Sequence, residues 1–354
     1  MQKTIEGIAY YGKITKQLLH VVPPQSIIIL EHEDLDIVAA EDIVRKRVKA
    51  VVNIKKSITG KLPRSGVTHL IKHGIPVYDF TTIPSMNIEK WKKIKIENEK
   101  MFTYEHNIWV HVADLNQYSK HDATSLTYKA KQNFSHLFLN FAENSLKYGQ
   151  KEVFSFLQAT KQLPTLHDIY GKNVFIVARG PGVEDDIRIV RPLLKKKDSI
   201  IIAVDGASTL LYQYHVKPKY IVGDMDSIDN DVHLRRCTFI AHSYMNGISP
   251  GQERLKALSV DCTTVPFPGL SEDLAIMLAY VSNAEKIVTL GCRNSVIDLV
   301  EKDRKGMGST LLTRMYAGDK ISDWKNMNQL LEFTQDLLGQ DHTEESFKSA
   351  IKEY

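Results

Sequence analysis

Two apolar runs of this chain end on acids. Ile200-Ile201-Ile202-Ala203-Val204 leads into Asp205 and Gly206, and Tyr220-Ile221-Val222 leads into Gly223, Asp224, Met225, Asp226 and Ser227. Short apolar runs bounded by turn residues read as buried strands, so both sets of acids stand at strand ends. Carboxylates gathered at one sheet edge repel each other unless a cation lies among them. Magnesium fits that role, because one or two carboxylates hold it while phosphate oxygens and water complete its octahedron. Gly206 and Gly223 let backbone N–H groups approach a phosphate with no Cβ in the way. A lone Asp-x-Asp pair such as Asp224 and Asp226 would be taken as a plain turn capped by Asp226-Ser227. Two acidic strand ends in one segment favour ligand binding.

Other stretches carry weaker signals. Arg179-Gly180-Pro181-Gly182 ends another apolar run and could hold an anion, although Gly-Pro-Gly is also a plain turn. Gly269-Leu270-Ser271-Glu272-Asp273-Leu274 reads as a helix start with Ser271 as its cap, and it brings Asp273 to a loop over the same edge. Arg304-Lys305-Gly306-Met307-Gly308-Ser309-Thr310 mixes cations, glycines and a helix cap, a pattern suited to polyanions. It lacks the Lys-Ser or Lys-Thr step of a phosphate-binding P-loop. The 13 histidines show no metal-ligand spacing.

The elements that must position these residues alternate regularly. From Asn173 to Leu290, strands at 173–178, 200–204, 218–222, 239–242, 263–265 and 286–290 are separated by helices, including 185–194, 209–215 and 274–280. This is a doubly wound α/β pattern, in which ligands bind beyond the carboxyl ends of the strands. Upstream, 27–30, 50–54 and 74–79 read as strands and 34–44 and 66–73 as helices, a smaller α/β domain with a small parallel sheet. Lys93-Ile94-Lys95-Ile96 and Ile108–Val112 alternate like antiparallel strands. From Asp122 to Gln158 the spacing is helical, with Gly149 a possible break. Its stripe of Leu126, Phe134, Leu137, Phe138, Phe141, Tyr148 and Phe154 reads first as packing and second as a dimer seam. The expected division is therefore 1–85, an N-terminal α/β domain; 86–170, a β-hairpin and helical connector; 171–320, a nucleotide-binding domain; and 321–354, an acidic amphipathic tail.

Composition narrows the class. The chain has 354 residues, enough for two or three cores, and a net charge of +4, too small to argue for nucleic acid. No apolar run approaches the roughly 18 residues that span a bilayer, and the first residues lack the apolar core of a signal peptide. Three cysteines at 237, 262 and 292 form neither a zinc spacing nor an even disulfide set, so a cytoplasmic setting is expected. The segment 321–354 carries net −4 and an apolar stripe of Met327, Leu330, Leu331, Leu337 and Leu338, expected to bury against protein.

The motif order makes the chain recognisable. Val204-Asp205-Gly206-Ala207, Val222–Ile228, Ser271–Ala275 and Leu290-Gly291-Cys292-Arg293 resemble the catalytic domain of thiamin pyrophosphokinase. Gly251-Gln252-Glu253-Arg254 and Lys305–Arg314 are similar to the bacterial SteA-type cytokinetic ring proteins. Glu31–Asp36, Ala50–Asn53, Ser57-Ile58-Thr59-Gly60 and Gly74-Ile75-Pro76-Val77 agree with that group too. The resemblance implies ATP and Mg2+ as ligands, and Asp205, Asp224, Asp226 and Asp273 as the catalytic acids. Asp224, Asp226 and Asp273 would hold the metal. Arg179, Gly180, Gly206, Gly223, Ser227, Arg293, Lys305, Gly308 and Ser309 make the expected phosphate-binding set. It also implies a role in cell division or envelope control, with a division-related partner or a homodimer. Thiamin kinases have a Thr-Asp-type pair preceded by Lys and Asp where this chain has Ser271-Glu272-Asp273. They have an Asp-His pair where Asn294-Ser295-Val296 follows Arg293. The acceptor side therefore departs from a thiamin site, so the expected function is nucleotide binding with Mg2+, with diphosphate transfer from ATP to thiamin, or a scaffold with a decayed site, as the alternatives. Actinobacterial SteA-type proteins look membrane-anchored after this domain; the acidic tail here points instead to recruitment by a partner.

Overall fold

A computed structural model describes residues 4–82, 93–225, 228, 237–300 and 304–327. The chain divides into two compact units, Met1–Leu139 and Asn140–Tyr354. The first runs β1 (Ile5–Gly12), α1 (Thr15–Val21), β2 (Ile27–Leu30), α2 (Ile37–Arg45), β3 (Ala50–Asn53), α3 (Gly66–Lys72), β4 (Val77–Phe80), β5 (Lys93–Glu97), β6 (Lys100–Glu105), β7 (Ile108–Gln117) and α4 (Lys120–Gln132). Its strands form a closed barrel in the order β1-β2-β3-β4-β7-β6-β5. β1 to β4 are parallel; β7, β6 and β5 run antiparallel and close on β1 through Ile5 opposite Ile96. The small parallel sheet and the separate hairpin expected from sequence are thus one barrel. Alternation reveals a strand's buried face but not its neighbour. Along β2, Ile27 and Ile29 fill the barrel with Ile94, Ile96 and Met101, while Ile28 and Leu30 pack outward among residues of α1, α2 and α3.

The N-terminal motifs serve this packing. Asp34 accepts the Thr59 backbone N–H at 2.6 Å and its hydroxyl at 2.7 Å. Asp36 caps α2 by accepting the Ala39 N–H at 2.8 Å, so the helix expected from residue 34 begins at Ile37. Asp79 is buried and accepts the hydroxyls of Ser57 and Tyr118, each at 2.6 Å. A Cβ at Gly66 would overlap the Leu35 carbonyl oxygen and lie 2.6 Å from that of Asp36.

The second unit contains most of α5 (Phe134–Gln162), then β8 (Asn173–Val177), α6 (Val183–Leu194), β9 (Ser199–Val204), α7 (Ala207–Gln213), β10 (Tyr220–Gly223), β11 (Thr238–Ser243), α8 (Pro250–Ala257), β12 (Cys262–Pro266), α9 (Ser271–Val281), β13 (Lys286–Leu290), α10 (Val296–Val300), α11 (Gly308–Ala317) and β14 (Ile321–Asp323). Its seven strands are parallel in the order β12-β11-β10-β9-β8-β13-β14, with helices on both faces. The expected α/β architecture holds: a doubly wound domain preceded by a smaller one. Strand order reverses between β8 and β13, which makes that pair the switch point.

Gly149 does not break α5, which runs on through it. The aromatic stripe divides: Phe141 is buried, whereas Phe138 and Phe154 are exposed. Residues 321–323 join the sheet as a strand, where sequence spacing predicts the start of a helical tail. Asp323 there accepts the Thr289 hydroxyl, an Asn294 side-chain N–H at 3.2 Å and an Arg314 guanidinium N–H at 2.6 Å. Met327 is buried against the core, and its N–H reaches Asp186 at 2.6 Å; Leu330, Leu331, Leu337 and Leu338 lie outside the described residues. Among the described residues no helix is long and apolar enough to cross a membrane.

Two outcomes follow from this packing. Gly66→Ala forces a methyl group into two backbone carbonyls and lowers stability by about 3 kcal/mol in denaturant titration. Asp323→Ala strands three donors and lowers the melting temperature at neutral pH by about 2–4 °C. Burial pushes the Asp323 carboxyl up, but the donors from Thr289, Arg314 and Asn294 outweigh it and hold the group low. Its contribution is therefore present above the ordinary carboxylate range and lost in acid, so the two proteins begin to converge only as pH falls below about 4.

Candidate functional site at the carboxyl edge of the parallel sheet

The strand ends at the switch point touch through backbone. A Cβ on Gly180, after β8, would overlap the Gly291 carbonyl oxygen after β13. Arg293 locks the junction. Its backbone N–H donates to Glu272 Oε2 at 2.9 Å, Nη1 stands 3.5 Å from Oε1, and Nη2 donates to the Arg179 carbonyl at 2.7 Å. Arg293, expected as a phosphate contact, is thus engaged by this chain's own groups. Glu272 is only 7% exposed; burial pushes its carboxyl up to about 7, with the Arg293 charge pulling the other way.

Asp273 is buried beside it, and burial raises its carboxyl to about 6 against donors from Leu270 and Thr310. Oδ2 accepts the Leu270 N–H at 2.9 Å and the Thr310 hydroxyl at 2.7 Å, tying α9 to α11. The N-cap position falls on Leu270 rather than on Ser271, because Asp273 reaches back and does the capping. The Ser271 hydroxyl instead lies 3.3 Å from Nδ1 of His242, whose Nε2 lies 2.7 Å from the Phe267 carbonyl. Donation there puts the proton on Nε2, and burial holds His242 below its ordinary value.

The acidic strand ends meet at β9 and β10. Asp205 has a left-handed backbone with φ 47°, and its Oδ1 accepts the Met225 N–H at 2.9 Å. Gly223 has φ 155°, and a Cβ there would overlap the Asp205 carboxylate. The missing side chain, expected to admit a phosphate, makes room for Asp205. Gly206 is buried ahead of α7 with φ −64°. Asp224 follows Gly223 with its side chain exposed. Asp226 and Ser227 lie outside the described residues. Among the described residues no three His, Cys, Asp or Glu side chains form a metal-holding set. The donors at this edge, Asp224 next to the glycine that touches Asp205, are the hard oxygens Mg2+ takes. Asp273 is a poorer ligand, since two donors already occupy its Oδ2.

A cleft of about 370 Å³ opens between Gly269-Leu270, the start of α11, and Tyr148 and Glu152 of α5. Arg304 and Lys305 are exposed at it, whereas Gly308 and Ser309 are buried. The Ser309 hydroxyl donates to Glu152 Oε2 at 2.6 Å, so the N-terminus of α11, expected to face a polyanion, faces a carboxylate of this chain. Arg179 is half-buried at the switch point.

Sequence reasoning missed Glu272, His242, Tyr148 and Glu152. One signal was available for Glu272. The helix it opens continues Leu274-Ala275-Ile276-Met277-Leu278-Ala279, apolar all round, and such a helix is buried along with its first turn. The stripe that contains Tyr148 reads as packing, and nothing local to α5 marks Tyr148 or Glu152 as part of a cleft, because their partners lie 157–160 residues onward in the chain.

A family model described as thiamin pyrophosphokinase, catalytic domain, matches residues 192–298. It takes in Asp205, Asp224, Asp273 and Arg293, and leaves out β8, α5 and the 304–310 segment. The chain is 26% identical over 187 residues to the 6-hydroxymethyl-7,8-dihydropterin pyrophosphokinase of Pyrococcus furiosus, covering 49% of this chain and 73% of that protein. Among solved structures it is similar to thiamin pyrophosphokinases of Geobacillus thermodenitrificans (TM-score 0.28) and Bacillus subtilis (TM-score 0.27), each 18% identical over 43% of this chain. The chain spans 59% and 60% of the length of those two proteins. It carries a thiamin pyrophosphokinase-like catalytic domain.

The buried acids make stability depend on pH. Their folded values lie above the unfolded ones, so the stabilising contribution of the protonated forms is complete below about pH 4 and runs down as pH rises through about 6 and about 7. Melting temperature should fall between about pH 5 and pH 8. In Glu272→Gln, which keeps the shape and cannot ionise, the fall should be shallower.

Proposed function

We propose that the second unit binds ATP with Mg2+ at the carboxyl edge of its sheet and transfers diphosphate to the hydroxyl of a small acceptor other than thiamin. The observation that carries this reading is the corner where Gly223 makes room for Asp205 and leaves Asp224 exposed, within the stretch that matches the pyrophosphokinase family. In such a transfer the acceptor oxygen bonds to the β-phosphorus, the α–β bridge breaks, AMP leaves, and the hydroxyl proton passes to a base or to water. Asp224 with Asp226 would hold Mg2+, which offsets phosphate charge when bound. Asp205 fixes the β10 exit loop through the Met225 N–H. Arg179, Arg304 and Lys305 supply positive charge near the phosphates. Asp273 serves as the anchor of α9 and α11.

The relative from Pyrococcus furiosus is named for a pterin bearing a hydroxymethyl group, which makes that class of acceptor the one to set against thiamin. The SteA-type motifs, with the division-related partner, homodimer and division-site recruitment they imply, add a setting in which the same nucleotide site is used.

Calorimetry with ATP in the presence and absence of Mg2+ tests the site, and AMP release with thiamin or 6-hydroxymethyl-7,8-dihydropterin tests turnover. ATP affinity should depend on Mg2+ and fall more than tenfold in Asp224→Asn, because one anionic ligand of a strongly hydrated dication is lost. Equal affinity with and without the metal would sink the assignment. Robust formation of thiamin diphosphate would restore thiamin as the acceptor.

A further inference from the structure

The 304–308 segment is fitted to α5 with little slack. A Cβ on Gly306 would lie 2.9 Å from the Ser145 N and from the Tyr148 ring, and one on Gly308 2.6 Å from Tyr148 Cβ and 2.7 Å from Glu152 Oε2. Asn144 donates to the Lys305 carbonyl at 2.9 Å, and the Met307 N–H donates to Ser145 Oγ at 3.0 Å. These glycines hold backbone against a helix instead of cradling a phosphate. The result is a preformed cleft of about 370 Å³, within the range of small-ligand sites.

Its lining is mixed in an ordered way. Tyr148, Leu299 and Met307 offer an aromatic ring and apolar surface, Glu152 offers a carboxylate, and Arg304 and Lys305 are exposed cations. Ser309 occupies Oε2 of Glu152; among the described residues Oε1 has no partner. A carboxylate oxygen in such a setting accepts from N–H groups of a ligand. The two cations suit a phosphorylated end and oppose a ligand with a fixed positive charge. The Thr310–Asp273 bond ties the cleft floor to the first turn of α9 at the sheet edge.

We infer that this cleft is the acceptor pocket, and that it takes an uncharged, flat nitrogen heterocycle carrying N–H donors and a hydroxymethyl arm. The ring lies against Tyr148 with its N–H groups on Glu152, and the diphosphate ester is met by Arg304 and Lys305. This rests on the diphosphate-transfer reading above. Both α5 and residues 304–310 fall outside the 192–298 match, so acceptor choice belongs to parts of the chain beyond the matched domain.

Titration of the full chain with 6-hydroxymethylpterin, followed by pterin fluorescence, and with thiamin by calorimetry tests the pocket. The pterin should bind more tightly than thiamin. Glu152→Gln keeps an acceptor for Ser309 but removes the charge, and should weaken pterin binding about tenfold. Tyr148→Leu, which leaves the glycine contacts to backbone intact, should weaken it severalfold. Circular dichroism establishes that each variant is folded. Tighter binding of thiamin, no binding of the pterin, or unchanged pterin affinity in both variants overturns the inference. ATP binding by the wild type separates the two readings: if Mg2+-dependent ATP binding persists while any of those results is found, only the acceptor pocket is lost. If ATP does not bind, both fall.

Discussion

Arg293 holds the switch point together, and the carboxyl edge of the second unit depends on it. β8 and β13 lie side by side, and the Arg179 carbonyl and the Arg293 amide meet at their exits in a partly buried place. The guanidinium and Glu272 answer both at once. That arrangement draws a carboxylate into a site 7% exposed, where its ionisation is unfavourable. Asp273, next in the chain, adds a second buried acid. The first turn of α9 therefore concentrates charge where the rest of the helix is wholly apolar. Such concentrations are typical of functional edges, since packing alone would favour neutral side chains.

Many elements of both units were readable in the sequence because hydrophobic runs and turn residues are local, whereas β1, α1, β6 and α8 were not read. β8, β9, β10 and β13 are apolar on both sides and end on glycine, arginine or aspartate, so the strands and their ligand-facing ends could be stated without coordinates, but not their order in the sheet. The barrel was not readable. Whether Lys93–Glu97 lies beside Ile5–Gly12 or stands alone in a hairpin depends on a pairing across more than 80 residues, and the alternation of Ile94 and Ile96 is the same in either case. Nor was β14, three residues long and anchored by side-chain contacts to Asp323 rather than by a run of its own.

At the site, residue types were legible and roles were not. Asp205, Asp273 and Arg293 stand at the predicted strand ends and helix start, yet each is turned toward a partner in this chain. The same residues that could greet a phosphate also satisfy the Met225, Leu270 and Arg179 backbone groups, and only geometry separates the two uses. Asp224, Arg304 and Lys305 remain exposed, which is the condition for meeting a charged ligand.

One device recurs along this edge. Gly223 makes room for the carboxylate of Asp205, Gly269 for that of Asp273, and Gly308 for that of Glu152; at the last two a Cβ would come within 2.7 Å of a carboxylate oxygen. In each case a neighbouring donor completes the hold: the Met225 N–H, the Leu270 N–H with the Thr310 hydroxyl, and the Ser309 hydroxyl. A carboxylate fixed this way loses little further freedom when a cation or an N–H donor arrives, so binding is not opposed by the ordering of a long side chain. Glycine in these loops thus acts by admitting the chain's own acids. Replacing the glycine would displace the acid with it, and two sequence features that look separate are one structural unit.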